Sequence, residues 1–320
     1  MVSERYAYDE RTTLRSEHLK AEICHRGLRL ASLRIAPFGH EEELLATLDD
    51  PSLFASDDHF LGAIVGPYAN RIAHGQFSID GQAFSVEPNE GPHLLHGGPF
   101  GFHTRLWSKA DGHDANEASF RLTWHDPTGR FPGQIRTAIT FSIQDATLQL
   151  NIEATTDEPT PFNPTYHPYF NLAPDMTPAM AGHVISINAQ NRQVMDGQGI
   201  PTDAVEHMSG DTTVYNAAAA NLSHPLDDSY LCPDGVVSQI SHPDSERILT
   251  ITSDAPSTQI YTGHHLGDDT GEWPYVRGAG VCVEPQHPPN SPNHPVCGST
   301  ILYPGQVFRR RMAFTFSRQR

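Results

Sequence analysis

Apolar residues alternate with polar ones along most of this chain, and this spacing is the feature that most restricts its fold. A period of two places successive side chains on opposite faces of a strand, whereas a helix needs a period of 3.6. The 25 glycines and 26 prolines divide the sequence into short segments, as turns between strands require. The pattern predicts an all-β protein built from half-buried antiparallel strands.

Two hairpins are the clearest local predictions. Over 77–86, two alternating runs flank Asp80-Gly81, a dipeptide that accepts the positive φ angles of a type I′ turn. A longer hairpin is predicted over 139–152, with its turn near Asp145. Further strands are predicted at 184–187, 248–251, 259–261, 281–283 and 308–316.

Helical pattern is scarce and is modest in the two stretches that show it, 41–48 and 215–222. Strand pattern extends to both sides of the proline-rich segment 285–295, which is therefore predicted to be a long loop rather than a linker. With no linker or internal repeat, residues 1–320 are predicted to form one large antiparallel β-domain.

Charge and composition restrict the partners of the chain. A formal net charge of −17 repels nucleic acid phosphates and anionic lipid surfaces, so neither is an expected partner. The sequence has no run of about 20 apolar residues that could span a membrane. The stretch from Met1 to Lys20 is polar and does not have the apolar core of a signal peptide. With four cysteines and no C-x-x-C spacing, the cytoplasm is the predicted location.

Five segments place titratable or polar groups beside glycine, proline or aromatic residues, mostly at predicted strand ends or loops. Loops on a rigid sheet are where catalytic groups tend to lie. The segments are 66–71, 95–98, 163–171, 226–230 and 283–286.

Taken singly, these residues have ordinary structural explanations as well. Glu284 shares the parity of Cys282 and is either a paired structural charge or a functional base. His167 could be hydrogen-bonded within a packed loop. The glycines after His96 suit close approach of a ligand but also a tight turn. Arg71 could be a surface ion-pair residue, although its planar fork of donors also suits sugar hydroxyls.

The motifs taken together resemble the aldose 1-epimerase (galactose mutarotase) family. Their order and spacing agree with that family from about residue 20 to the C-terminus, and no single short motif carries the match. The resemblance implies a β-supersandwich of many antiparallel strands with few short helices and a sugar pocket on a concave sheet face. The matching motifs are Asn70-Arg71, Leu95-His96-Gly97-Gly98, Gly101-Phe102, Trp107, the run from Thr165 to Leu172, Tyr261-Thr262-Gly263, Glu284-Pro285-Gln286, Asn293-His294-Pro295 and Pro304-Gly305.

The resemblance also implies roles for individual residues. Glu284 is similar to the general base of the family and His167 to its general acid. The expected sugar contacts are His96, Arg71, Asn70, Asp227 and Gln259. Two local departures are Pro285, where the family usually has a small residue such as Thr, and Asp228, where His or Asn is common. The second departure leaves open whether Asp227 or Asp228 contacts the sugar.

The implied reaction exchanges the α and β anomers of a free aldose such as glucose or galactose. The C1 hydroxyl loses a proton while the ring oxygen gains one, and each proton transfer typically contributes about 10²–10⁴ in rate. No metal or other cofactor is needed. We expect Glu284 to be ionised, with help from Arg71 or backbone amides, and His167 to be protonated, the two facing one another across a cavity. A monomer or homodimer is expected.

Three rival functions remain open at this point. Asp227 and Glu284 could be the carboxylate pair of a glycoside hydrolase. A non-catalytic carbohydrate-binding protein could use aromatic platforms. A metal enzyme is suggested by His93-x-x-His96 and His264-His265, although adjacent histidines on a strand point to opposite faces. The candidate aromatic platforms are Tyr68, Phe102, Tyr169 and Trp273.

Overall fold

The structure, a computed structural model, describes residues 10–36, 42–48, 51–112, 114–174, 182–208, 213–216, 225–267 and 277–319. The strands are β1 (Arg11–Arg15), β2 (Leu19–Cys24), β3 (Arg29–Ile35), β4 (Glu42–Glu43), β5 (Ala63–Val65), β6 (Arg71–Ile72), β7 (Gln76–Ile79), β8 (Gln82–Ser85), β9 (Leu94–Leu95), β10 (Ser108–Lys109), β11 (Glu117–Trp124), β12 (Ile135–Gln144), β13 (Thr147–Thr156), β14 (Thr160–Pro161), β15 (Thr165–His167), β16 (Val184–Ile187), β17 (Asn191–Met195), β18 (Pro201–His207), β19 (Thr213–Asn216), β20 (Asp227–Leu231), β21 (Gly235–His242), β22 (Arg247–Ser253), β23 (Ser257–Tyr261), β24 (Cys282–Gln286), β25 (Ile301–Leu302) and β26 (Phe308–Arg318).

The helices of the described residues are short 3₁₀ turns. None is longer than the six-residue turn at Pro51–Ser56, and within the described ranges no helix could cross a membrane. The others are Ala73–Gly75, Gly98–Phe100, Phe102–Thr104 and Pro243–Ser245. The prediction of an all-β fold with few short helices is confirmed.

Three antiparallel sheets form the body of the fold. The largest has nine strands in the order β10-β11-β12-β13-β26-β22-β21-β16-β19. A five-stranded sheet has the order β18-β17-β20-β23-β24, and a four-stranded sheet has the order β1-β2-β3-β4. Four two-stranded pairs, β5 with β15, β6 with β9, β7 with β8 and β14 with β25, complete it.

The alternation read from the sequence recurs as alternating burial. In β12 the buried residues are every second one from Ile135 to Ile143, and in β26 the buried set includes Met312, Phe314 and Phe316. The apolar side chains among them belong to a hydrophobic cluster whose members run from Leu14 to Phe316. That one domain spans residues 1–320 stays a prediction.

Both predicted hairpins are confirmed. β7 and β8 pair around Asp80 and Gly81, whose φ angles are 50° and 83°. β12 and β13 pair over their full length, and Asp145, at φ 50°, lies in the turn between them. The turn chemistry was local, which is why the sequence pattern located it correctly.

The two helical predictions fare differently. The first, at 41–48, is wrong over the described residues 42–48, and residue 41 lies outside them: β4 pairs with the end of β3, and Leu45 forms a bridge with Phe170. Pairing with neighbours in space overrode a weak helical preference. The second, at 215–222, falls partly outside the described residues, and the part that is described belongs to strand β19.

Candidate active site

A cavity of about 730 Å³ lies where the five-stranded sheet meets the short strands β6 and β15. The seven residues expected to act on the sugar all line it. They come from distant parts of the sequence and were brought together by strand pairing. They are Asn70, Arg71, His96, His167, Asp227, Gln259 and Glu284.

Strand register places the carboxylate and amide groups side by side. Gln259 in β23 lies directly opposite Glu284 in β24, so their side chains share one face of the sheet. Gln259 Nε2 donates a hydrogen bond of 2.7 Å to Asp227 Oδ1 on the neighbouring strand β20. The three residues therefore form a polar floor across three adjacent strands.

The alternation of side chains separates the two neighbouring aspartates. Asp227 lines the cavity, and Asp228 Oδ2 lies 3.1 Å from Nη1 of Arg192. Arg192 also pairs with Glu206. Of the two candidates, Asp227 is therefore the one in a position to contact a ligand.

The proposed acid and base are in direct contact. His167 Nε2 lies 3.5 Å from Glu284 Oε1, and both side chains are buried. On the other side of the ring, His167 Nδ1 lies 3.5 Å from the Cys282 thiol. We expected the two groups to face one another across a cavity, but the gap is too small for a sugar ring. Both groups instead border the same cavity side by side.

Burial disfavours the charged forms that were expected for His167 and Glu284. It lowers the pKa of His167 to about 4. It also raises the pKa of Glu284 well above the ordinary value, and Asp227 adds to that rise. An opposite charge at 3.5 Å favours the ionised forms. When the pair carries one proton, burial favours the arrangement with neutral His167 and protonated Glu284.

The Arg71 side chain, which is expected from the sequence to help keep Glu284 ionised, forms its hydrogen bonds with Glu90. Arg71 Nε and Nη2 donate hydrogen bonds of 2.6 Å each to the two carboxylate oxygens of Glu90. Glu284 Oε2 is buried and has no hydrogen-bond partner among the described residues. Glu284 lines the cavity, and this carboxylate oxygen is free to accept a proton or a hydrogen bond.

His96 is held in one tautomer by its neighbour. The backbone amide of Asn70 donates a 3.1 Å hydrogen bond to His96 Nδ1, so the neutral ring carries its proton on Nε2. Burial lowers the pKa of His96 well below the ordinary value, with the nearby His167 as a further cause. His96 is therefore a neutral hydrogen-bond donor. Gly97 at φ 79° allows this turn to approach the Gly66 carbonyl, which a Cβ would meet at 2.2 Å.

Sequence reasoning missed several residues that border the cavity. Phe60 lies 4.5 Å from the His96 ring and 4.8 Å from the His103 ring, measured between centroids. The loop that carries Phe60 is anchored by Asp57, which pairs with the buried Arg29. No motif marks Phe60 or Glu90 in the sequence. His103 could have been noticed as the only histidine of the 101–107 motif.

Some of the residues suggested by the rival functions also line the cavity, and others lie elsewhere. Those that line it are His96, Tyr169, Asp227, His265 and Glu284. Tyr68 and Phe102 are fully buried core residues, and Trp273 is outside the described residues. His93 contacts Gln198 through Nε2 and accepts a hydrogen bond from the His74 amide at Nδ1. Within the described ranges, no three His, Cys, Asp or Glu side chains are grouped as metal ligands would be.

The sequence is similar to proteins of one family over nearly its whole length. Residues 10–315 match the family described as Aldose 1-epimerase. Aldose 1-epimerase of Escherichia coli K12 is 31% identical over 312 residues, which cover 91% of this chain and 90% of that protein. Human galactose mutarotase is 28% identical over 325 residues, which cover 96% of this chain and 94% of that protein.

Solved structures show the same fold. The GalM/aldose epimerase homologue from C. elegans superposes with a TM-score of 0.89 at 25% identity, covering 97% of this chain and 99% of the other. Galactose 1-epimerase from Lactobacillus acidophilus NCFM has a TM-score of 0.81 at 22% identity, covering 96% and 94%. The chain belongs to the aldose 1-epimerase family, a family of isomerases that act on carbohydrates.

Proposed function

We propose that this protein interconverts the α and β anomers of a free aldose such as glucose or galactose, by acid and base catalysis without a cofactor. The observation that carries the proposal is the contact between His167 and Glu284 at the wall of a cavity. That cavity is also lined by groups suited to sugar hydroxyls. Aldose 1-epimerase of Escherichia coli K12 and human galactose mutarotase are named for the same class of reaction.

The adjacency of the two groups suits the chemistry. The C1 hydroxyl and the ring oxygen of a pyranose are bonded to the same carbon, so a base and an acid that lie 3.5 Å apart can address both oxygens. The Glu284 carboxylate takes the proton of the C1 hydroxyl while the protonated His167 gives its proton to the ring oxygen. The bond between C1 and the ring oxygen breaks, and an open-chain aldehyde forms.

Rotation about the C1–C2 bond and reclosure by the reverse proton transfers then give the other anomer. After ring opening, Glu284 is protonated and His167 is neutral. This is the arrangement of the shared proton that burial favours. Ring opening thus starts from the ionised arrangement of the pair and ends in the arrangement that burial favours. General acid and base groups together suffice for both steps, so the proposal needs no metal or nicotinamide.

The remaining lining residues hold the sugar. Asp227 and the Gln259 carbonyl, which has no hydrogen-bond partner among the described residues, would accept hydrogen bonds from hydroxyl groups. The neutral His96 would donate one through Nε2, and Arg71 and Asn70 would contribute further contacts. Hydrogen bonds from a rigid, buried wall favour one orientation of the ring.

Location and assembly belong to the same proposal. Cys232, Cys282 and Cys297 are not in disulfide bonds, which supports a reducing compartment such as the cytoplasm. A monomer or homodimer stays a prediction.

Polarimetry tests the proposed function. Freshly dissolved α-glucose and α-galactose should lose optical rotation faster with the protein than in buffer alone, without added cofactor. The function is wrong if neither sugar reaches equilibrium faster. Release of nitrophenol from nitrophenyl glycosides would instead indicate a glycoside hydrolase, and sugar binding without faster mutarotation would indicate a carbohydrate-binding protein.

A further inference from the structure

The Arg71 guanidinium has an acidic partner that the family resemblance did not indicate. Glu90 accepts one hydrogen bond from Arg71 Nε and one from Nη2, each 2.6 Å long. This bidentate contact uses the edge of the guanidinium formed by Nε and Nη2, which matches the geometry of a carboxylate. Both residues line the cavity, so the pair is part of the site.

Glu90 is held in place by its own turn. Its backbone amide donates to the His93 carbonyl at 3.1 Å, and its carbonyl accepts from the His93 amide at 2.9 Å. The preceding Asn89 bonds both backbone groups of Leu95 in β9. Since Leu95 pairs with Arg71 in β6, the carboxylate and the guanidinium are carried by one rigid unit.

A second turn lies close to the Arg71 guanidinium. Gly199 lies in the connection between β17 and β18, and a Cβ at this position would come within 2.6 Å of Arg71 Nη1. Gln198 in the same connection contacts His93 at 2.8 Å. The guanidinium is therefore held between the turn that carries Glu90 and the turn that carries Gly199. This restricts its movement within the cavity.

The charge of the Arg71–Glu90 pair affects which ligands the cavity can bind. Among the described residues that line it, Arg71 is the only Arg or Lys. Burial lowers the pKa of His96, His103 and His167, which keeps those rings neutral. Without Glu90, Arg71 would be a cation well suited to bind a carboxylate on a ligand.

We propose that Glu90 is a positioning and specificity-determining residue, which orients Arg71 and offsets its charge so that the site takes neutral aldoses and discriminates against sugar acids such as uronates. The inference rests on the proposed function. Asp227 in the same cavity adds negative charge and acts in the same direction. A ligand carboxylate would have to displace Glu90 and would also meet Asp227.

The test compares galactose with galacturonate in the wild-type protein and in Glu90→Gln and Glu90→Ala. Galacturonate that has already reached its anomeric equilibrium adds a constant optical rotation, so its inhibition constant against galactose mutarotation can be read by polarimetry. In both variants we expect that constant to fall by about tenfold or more relative to the KM for galactose. In Glu90→Ala, the KM for galactose should also rise more than kcat falls, because Arg71 loses its orientation.

Glu206→Gln is the matched control. It also removes a carboxylate that is bonded to an arginine, Arg192 at 2.5 Å, but this pair does not line the cavity. The control should leave both constants unchanged. The proposal would be overturned if the ratio of the galacturonate inhibition constant to the galactose KM were the same in the wild type and in both Glu90 variants. Melting temperatures would have to show that the variants are folded.

Failure of the proposed function would be visible separately. If the wild-type protein does not speed mutarotation, calorimetric titration with the two equilibrated sugars still measures their relative binding. A rise in the relative affinity for galacturonate in the Glu90 variants would then support the role of Glu90. An unchanged ratio would refute that role independently of any activity.

Discussion

Nε2 of His167 lies 3.5 Å from Oε1 of Glu284, and both side chains are buried at the wall of the same cavity. Neither group has its ordinary affinity for protons, because burial opposes charge on each of them. Since they are in contact, they titrate as a coupled pair rather than as two independent groups. The proposed chemistry and three of the predictions below depend on this contact.

Replacing Glu284 by Gln should abolish most of the mutarotase activity. Glutamine keeps the shape of the side chain and removes its basicity, so kcat should fall by about 10²–10⁴. Polarimetry with fresh α-galactose measures the loss. Glu153→Gln, which removes an exposed carboxylate paired with Arg309, should retain wild-type activity. If Glu284→Gln kept a rate within about tenfold of wild type, Glu284 would not be the main base.

The plot of kcat/KM against pH should be bell-shaped, and both of its limbs should report the titration of the His167–Glu284 pair. Activity requires one shared proton. On the acidic side, a second proton enters as His167 becomes charged. Because burial lowers the His167 pKa to about 4, this limb should lie below the ordinary histidine value.

On the basic side, the last proton leaves the pair. Because burial raises the pKa of Glu284, this limb should lie well above the ordinary glutamic acid value. Initial rates measured across the pH range in buffers of constant ionic strength test both limbs. An acidic limb centred at or above the ordinary histidine value would contradict the proposed environment of the pair.

Glu284→Gln should also stabilise the protein at alkaline pH. The pKa of Glu284 is raised in the folded state, so the folded protein binds more protons than the unfolded chain above the unfolded pKa. The contribution of Glu284 to the free energy of unfolding is therefore complete below the pKa of the unfolded chain. It is lost as the pH rises through the pKa of the folded protein. The variant does not suffer this loss, and its melting temperature should exceed that of wild type by roughly 2 °C or more at pH 8.

The difference in melting temperature should shrink as the pH falls toward 4.5, where the unfolded chain is already half protonated at Glu284 and the folded protein is protonated there. Differential scanning calorimetry at the two pH values measures it. A difference that does not change with pH would mean that the substitution acts through packing and not through the charge.

Asp227→Asn and Asp228→Asn should differ in their effect on activity. Asp227 borders the cavity and accepts the Gln259 hydrogen bond, so its replacement should lower kcat/KM by about 10–100-fold. Asp228 pairs with Arg192 outside the cavity, and its replacement should leave kcat/KM close to wild type. Steady-state polarimetry on both variants compares them. A larger loss in Asp228→Asn would assign the sugar contact to the other aspartate.

Removal of metal ions should leave the activity unchanged. The proposed proton transfers use only His167 and Glu284, so protein dialysed against EDTA should match undialysed protein in kcat and KM. A loss of activity that added Mg²⁺ or Zn²⁺ restores would show that the reaction needs an ion. The melting temperature, recorded on the same samples, separates such a loss from unfolding.

Local patterns were enough to predict both hairpins and five further strands. Alternation defines which face of a strand is buried, and Asp80-Gly81 carries the conformational preference of its turn within two residues. The failure at 41–48 has the opposite origin. That segment has weak local preferences, and its strand character comes from pairing with β3 and from a bridge to Phe170.

The sequence by itself determined the fold class, the family resemblance and the identity of the candidate site residues, because the order and spacing of the motifs are encoded along the chain. Only the tertiary structure decided that Asp227 and not Asp228 lines the cavity, that Arg71 pairs with Glu90, and that His167 contacts Glu284. Strand register and burial set these contacts and pKa directions. Both depend on residues far apart in the sequence, so no local pattern could predict them.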